Sequence, residues 1–158
     1  MTVSQQRLRE VLTYDPETGI FTSLNKRPQF RGKTLGWKSE GYTLIKVDGR
    51  PYRAARLAWI FMTGAEPTLV VDHINGQRSD DRWVNLRQLT IAQNCQNRRV
   101  GHAGSSSRFL GVAADRGLWR ADIMVNGIAH RLGRFKTEEA AHAAYLTAKR
   151  KLHSSCAI

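Results

Sequence analysis

Thiols are scarce in this chain. Of 158 residues only Cys95 and Cys156 are cysteines, too few and too far apart for a disulfide framework or for the paired spacing of a thiolate zinc site. Long apolar runs are missing too: none approaches the roughly 18 residues of a membrane-crossing helix. The N-terminus has no charged segment followed by an apolar stretch, so no secretory signal is read there, and the sequence predicts a soluble cytoplasmic protein without a membrane partner. Acidic residues are also few, with 13 Asp and Glu against 25 Lys and Arg and a net charge of +12. The resulting pI is near 10.5. An excess of that size favours a polyanionic partner, because phosphates bound by Lys and Arg release their counterions. The charge is shared along the chain, 16 basic against 9 acidic residues over 1–100 and 9 against 4 over 101–158. Either part can face nucleic acid.

What is present fits folded cores, with 41% hydrophobic residues. The run Gly101-His102-Ala103-Gly104-Ser105-Ser106-Ser107 buries little surface, so the sequence predicts a domain over 1–100, a linker at 101–106 and a second domain over 107–158. Upstream, Ser4 can cap a helix carrying Leu8, Val11 and Leu12, and Tyr14-Asp15-Pro16-Glu17-Thr18-Gly19 is turn chemistry leading into Ile20-Phe21. Gly41 to Val47, Asp48-Gly49 and Arg50 to Tyr52 read as strand, tight turn and strand, and Ala54 to Met62 as a helix ending near Gly64. Downstream, Phe109 to Val112 reads as one strand. Leu118 to Val125 alternates apolar and polar residues as a second, and Asn126-Gly127 turns the chain into a third over Ile128 to Arg134. Thr137 caps a last helix with Glu138 and Glu139 in its first turn, Lys149, Arg150 and Lys151 in its last, and Ala141, Ala144, Tyr145, Ala148 and Leu152 as its apolar stripe.

The chemistry concentrates between Asp72 and Asn97. Asp72 and His73 end the apolar stretch Leu69-Val70-Val71 ahead of an Asn75-Gly76 turn. Neighbouring side chains on a strand face opposite ways, so the two are expected to share a site where the strand gives way to the loop. Asn85 to Leu89 reads as a returning strand, and Thr90 with Gln93 as a capping box opening a helix that carries Asn94 and, one turn on, Asn97. Phosphodiester hydrolysis needs a hard cation on oxygen ligands and a base working near neutral pH. Asp72 and Asn94 can supply oxygens and His73 the base. Taken singly, a turn-forming Asp, a structural His and a helix-start Asn are ordinary.

Together, Asp72-His73-Ile74-Asn75-Gly76, Asn85-Leu86-Arg87 and Gln93-Asn94-x-x-Asn97-Arg98 resemble the HNH homing-type endonucleases with a ββα-metal motif, in the variant whose last histidine is replaced by Asn94. The likeness extends to Tyr14–Gly19 and to Tyr52-Arg53-Ala54-Ala55-Arg56-Leu57-Ala58-Trp59, and so covers most of residues 6–100. It implies that His73 is the general base and that Asp72 and Asn94 hold a divalent metal, Mg²⁺ before Mn²⁺, with no small-molecule cofactor. It further implies that Asn85 braces the loop, with Asn97 as a second support, and that Arg98 and Arg99 meet double-stranded DNA. Such enzymes belong to phages and mobile elements, which would put the protein in a host cell's cytoplasm. Ala55 departs from relatives that place a histidine before the Arg-Leu-Ala-Trp stretch.

Residues 106–158 resemble the plant ethylene-response-factor DNA-binding domain through Phe109-Leu110-Gly111-Val112, Trp119–Ile123, Leu132-Gly133-Arg134-Phe135 and Thr137-Glu138-Glu139-Ala140-Ala141. Those domains lay the open face of a three-stranded sheet in the major groove. The expected donors are Arg108, Arg116, Arg120, His130, Arg131 and Arg134, on a basic face with few acids. Leu110, Ala113, Met124 and Ala129 stand where plant members carry Arg or Trp, so their recognition sequence is not carried over. The expected fold class is α+β, a ββα-metal nuclease domain followed by a three-stranded antiparallel sheet packed on one helix. The expected function is metal-dependent cleavage of DNA, nicking or homing-type. The competing reading is a catalytically inactive DNA-binding regulator. RNA binding is weaker, since no aromatic stacking platform of the RNP type is visible.

Overall fold

The computed structural model describes residues 3–97 and 104–153. Arg98 and Arg99, and Gly101, His102 and Ala103 of the expected linker, lie outside the described residues. Contacts divide the chain into two compact units, Met1–Thr90 and Ile91–Ile158, a division that falls ahead of the 101–106 segment. Both mix helix and sheet.

In the first unit, α1 (Gln5–Val11) starts where the Ser4 hydroxyl accepts the Arg7 N–H at 3.1 Å, and Leu12, expected on the helix, instead turns extended at its end and opens the following strand. The Asp15 carboxylate accepts the N–H groups of Glu17 and Thr18, tying the turn between β1 (Leu12–Asp15) and β2 (Ile20–Ser23). Strands β3 (Trp37–Ser39), β4 (Tyr42–Val47) and β5 (Arg50–Arg53) form a sheet in that order. Asp48 and Gly49, with φ of 47° and 82°, make the tight β4–β5 turn. Next, α2 (Ala54–Thr63) ends at Gly64 in the left-handed region. Leu8, Leu12, Phe21, Ile45, Leu57 and Ile60 are each no more than 1% exposed. They join α1, α2 and both sheets in one core. The hairpin β6 (Val70–His73) and β7 (Leu86–Leu89) follows, and Leu86 anchors it in that core. Asn85 belongs to a single 3-10 turn, Trp83–Asn85, rather than to the returning strand itself.

The second unit opens with α3 (Ile91–Gln96). Its sheet has β9 (Leu118–Val125) in the middle, flanked by β8 (Val112–Asp115) and β10 (Ile128–Phe135). The strand expected at 109–112 is displaced and begins only at Val112. Gly111 explains the shift. It sits at φ 74°, accepts the Asp122 N–H at 2.9 Å, and passes so near α4 (Glu138–Leu152) that a Cβ would lie 2.2 Å from the Tyr145 ring. The apolar Phe109 ahead of it stacks on His142 of α4 at 4.2 Å instead of joining the ladder. A second tight turn, Arg116-Gly117 at φ 53° and 79°, then links β8 to β9.

On α4, Thr137 caps by accepting the Ala140 N–H at 3.2 Å. Ala141 and Tyr145 are buried, but Lys149 at 0% exposure completes the row, while Leu152 is 46% exposed. Positions 141, 145 and 149 step by four along one face. A lysine tolerates that place because its long stem is apolar, and its Nζ lies 5.8 Å from the centre of the Tyr145 ring.

Two glycines in the second unit separate backbone strain from crowding. Gly111→Ala is expected to cost at least about 2 kcal/mol, combining a positive φ with an unyielding ring. Gly127→Ala, at φ 81° but with open space around it, should cost only about 1 kcal/mol. Urea unfolding of both variants checks the order.

Candidate active site

The β6–β7 ladder sets the two central residues. It pairs Asp72 with Arg87 and His73 with Leu86. Asp72 stays partly reachable, 16% exposed, with its Oδ2 3.1 Å from the Arg87 Nε. His73 turns inward, 5% exposed, and its Nε2 lies 3.1 Å from the Oδ1 of Asp81, itself 4% exposed. The strand remains regular through His73, its last residue, so along the strand the pleat points the two neighbouring side chains to opposite faces. Among the described residues no hydrogen bond reaches the His73 Nδ1.

The loop 74–85 is held by one amide. The Asn85 side chain accepts the Asn75 N–H at 3.0 Å and donates to the Asn75 Oδ1 at 3.1 Å and the Asp80 carbonyl at 2.8 Å. Asn75 in turn donates to the Asp80 carboxylate at 2.6 Å, and Arg82 grips the same carboxylate with two bonds of 2.7 Å. Those Arg82 bonds, helped by Asn75, hold the Asp80 carboxyl down at about 2. From the other side the 16–19 turn presses on the loop. The Tyr14 hydroxyl donates to the Asp81 carbonyl at 2.7 Å, and the Trp83 N–H donates to the Pro16 carbonyl at 2.9 Å. Burial and the nearby Asp81 charge push the Tyr14 phenol up, so it stays a donor. At Gly19, φ 73°, a Cβ would meet the Asp81–Arg82 backbone at 2.6 Å. Only glycine admits that approach.

Asn94 lies half-buried on α3, which falls in the second unit. Asn97 follows α3, its N–H shared between the Gln93 and Asn94 carbonyls at 3.2 and 3.1 Å. In the second sheet, where a basic face with few acids is expected, the acids that are present pair with its arginines. Asp122 lies 2.6 Å from Arg120 and 3.4 Å from Arg131, and Asp115 lies 2.9 Å from Arg134. Arg108 reaches Glu139 at 3.5 Å, His130 sits exposed on β10, and Arg116 projects from the β8–β9 turn. Asp81, Tyr42 and Arg78 carry no motif in the sequence, and Arg53 and Arg87 stand there only inside the stretches Tyr52–Trp59 and Asn85–Arg87, with no role of their own. The doublet Asp80-Asp81 reads as an ordinary polar loop.

Residues 52–96, which include Asp72, His73, Asn85 and Asn94, match the model of the family described as HNH endonuclease. No curated protein sequence matches the chain. A solved chain described as "DNA binding and cleavage by the HNH homing endonuclease I-HmuI" is 30% identical, with a TM-score of 0.44, over 55% of this chain and 51% of that one. This chain therefore spans about half the length of that protein.

Asp80 gives the loop a pH signature. Its folded value lies near 2, below the ordinary 3.8, so its contribution is present above about pH 4 and fades as pH falls toward 2. Asp80→Asn should lower stability by about 1–2 kcal/mol at neutral pH, a figure already reduced for the exposed Arg82 side chain. The gap in Tm between variant and wild type should close on acidification, and melts taken from pH 7 to pH 2.5 check it.

Proposed function

We propose that the chain is a metal-dependent DNA endonuclease in which residues 1–100 cut and residues 107–158 hold the duplex. The observation that carries this reading is the HNH endonuclease match over residues 52–96, which brackets Asp72 and His73 at the end of β6. With Nε2 donating to Asp81, the imidazole is the tautomer whose Nδ1 lone pair is available to take a proton from water. Asp81 acts as the positioning residue for that ring, and Asn85 keeps the loop in the shape that delivers Asp81.

Asp72 and Asn94 are the oxygen donors for a divalent cation. Among the described residues no group of three or more His, Cys, Asp or Glu is gathered to cage a metal. By the chemistry of these donors, a carboxylate and an amide oxygen fit Mg²⁺, which keeps several waters and takes its remaining ligands from substrate phosphate, better than zinc. When bound, the cation supplies charge neutralisation at the phosphate and leaving oxygen. We further infer that residues 107–158 are an ethylene-response-factor-like module, its β9-centred sheet facing DNA with Arg120, Arg131 and Arg134 and α4 packed behind. A lone site of this kind attacks one strand, so nicking is the expected product.

The competing reading, a DNA-binding regulator without catalysis, draws on Arg87 occupying Asp72. Supercoiled plasmid separates them. Conversion to open circle with Mg²⁺ and none with chelator is expected. His73→Ala should lower the single-turnover rate by about 10²–10⁴-fold or more while DNA binding is kept. Asp72→Ala should lose most cleavage and regain part at high Mg²⁺. Nicking by His73→Ala at the wild-type rate, with an unchanged melting temperature, removes the imidazole from the mechanism.

A further inference from the structure

We propose that Tyr42, Arg53 and Arg78 form a phosphate-gripping surface beside His73 that takes a backbone phosphodiester of duplex DNA. This rests on the endonuclease reading for its ligand but not for its test. Tyr42 opens β4, and the β4–β5 register pairs Leu44 with Arg53. Tyr42, Leu44 and Arg53 thus project from one face of the sheet, with Arg53 diagonal to the tyrosine. The Arg53 guanidinium lies 4.0 Å from the Tyr42 ring centre. Arg78, from the far side of the chain in the loop after β6, brings its guanidinium to 5.0 Å from the same ring and donates to the Glu40 carbonyl at 3.2 Å. The ring itself is 6.2 Å from the His73 imidazole.

The shared Tyr42 ring beside His73, rather than the charge pattern alone, sets these arginines apart, since the exposed Arg9, Arg27 and Arg31 of the same unit also have no ion pair among the described residues. Arg7, Arg56, Arg82 and Arg87 of the same unit each lie against a carboxylate. Arg53 and Arg78 are exposed, and among the described residues neither has an ion-pair partner. A guanidinium held over an aromatic face keeps N–H donors at its edge, on Arg78 those other than the one given to the Glu40 carbonyl, in the fork that matches two phosphate oxygens. Two cations sharing one small ring repel each other, and an anion bound at their edges removes that repulsion. The stack also fixes both long side chains in advance, so less rotamer freedom is lost on binding. A phosphodiester held there lies next to the imidazole that the proposed chemistry uses.

The full-length protein and a labelled DNA duplex are titrated in chelator, where no cleavage occurs, across a chloride series. Each lost phosphate contact reduces the slope of log K against log salt by about 0.9. Arg53→Ala and Arg78→Ala should each show that reduction with about 3–10-fold weaker binding, and the double variant about twice the change in slope, all at the wild-type melting temperature. Arg53→Lys should keep the slope yet bind more weakly, since a point charge replaces the fork. A double variant with wild-type slope and affinity overturns the proposal. So does a loss of binding that tracks a lowered melting temperature while the slope stays constant. Replacing chloride by inorganic phosphate at equal ionic strength should displace more DNA from wild type than from the double variant, because the free anion offers the same oxygens to the same donors. A free-anion site that does not meet DNA would instead leave affinity and slope unchanged in the double variant, which overturns the assignment to DNA. Because binding is read without metal, a protein that never nicks plasmid but loses slope in these variants refutes the nuclease reading alone.

Discussion

The first unit is organised around the buried contact between His73 and Asp81. A carboxylate at 4% exposure is costly without partners, and an imidazole at 5% exposure facing it gains a fixed direction only if the carboxylate cannot swing away. Much of the surrounding structure serves that need. Tyr14 secures the Asp81 backbone from the core side, Gly19 lets the first hairpin turn close on it, and Trp83 ties the far end of the loop to Pro16. The Trp83 ring meets Trp59 of α2 at 5.1 Å, so the loop's position is passed directly to the helix that fills the core. Asn85 closes the circuit by bonding both Asn75 and Asp80 with one amide.

Local periodicity made most elements legible. Ser4 as a cap, the Asp48-Gly49 and Asn126-Gly127 turns, the end of α2 at Gly64 and the Thr137 cap each follow from residue types a few positions apart. The misreadings share a different cause. Phe109 and Leu110 look like strand because they are apolar, yet Phe109 is spent on the α4 face while Gly111 turns the chain. Lys149 looks like a charge matching the helix dipole, yet it is core. Both outcomes depend on a partner from elsewhere in the chain, which residue spacing does not carry. The candidate site divides the same way. Asp72 and His73 stand out in sequence through their place before a turn, whereas Asp81, Arg87 and the Tyr42 stack emerge only when β4, β6 and β7 are set in register.

The acids in the second sheet alter how its basic face is understood. Asp122 stands between Arg120 and Arg131, and Asp115 holds Arg134. These pairs are partly exposed, so they add little to stability. Their effect is orientation: each aspartate fixes a guanidinium that would otherwise sample many rotamers, at the expense of part of the positive field. On the proposed reading that this face meets DNA, such an arrangement trades nonspecific attraction for defined donor positions, which direct base contacts require more than phosphate contacts do.

Burial divides the two neighbours on β6 in a way that suits different tasks. The pleat forces adjacent residues apart, so one strand end yields both an enclosed imidazole and a carboxylate near the surface. On the endonuclease reading, a base must be aimed at one water, which favours the rigid inner position with Asp81 behind it. An oxygen donor for Mg²⁺ must instead meet an ion that keeps most of its waters, which favours the outer position. Arg87, directly across the ladder from Asp72, meets the requirement this creates: a carboxylate only 16% exposed needs a countercharge whenever no cation is bound. Exchanging the positions by a one-residue register slip would bury the carboxylate against Asp81 and expose the imbalance of two like charges. The buried Leu86 of β7, which shares the His73 face and sits in the core, therefore secures on that reading the placement of the base as well as the fold.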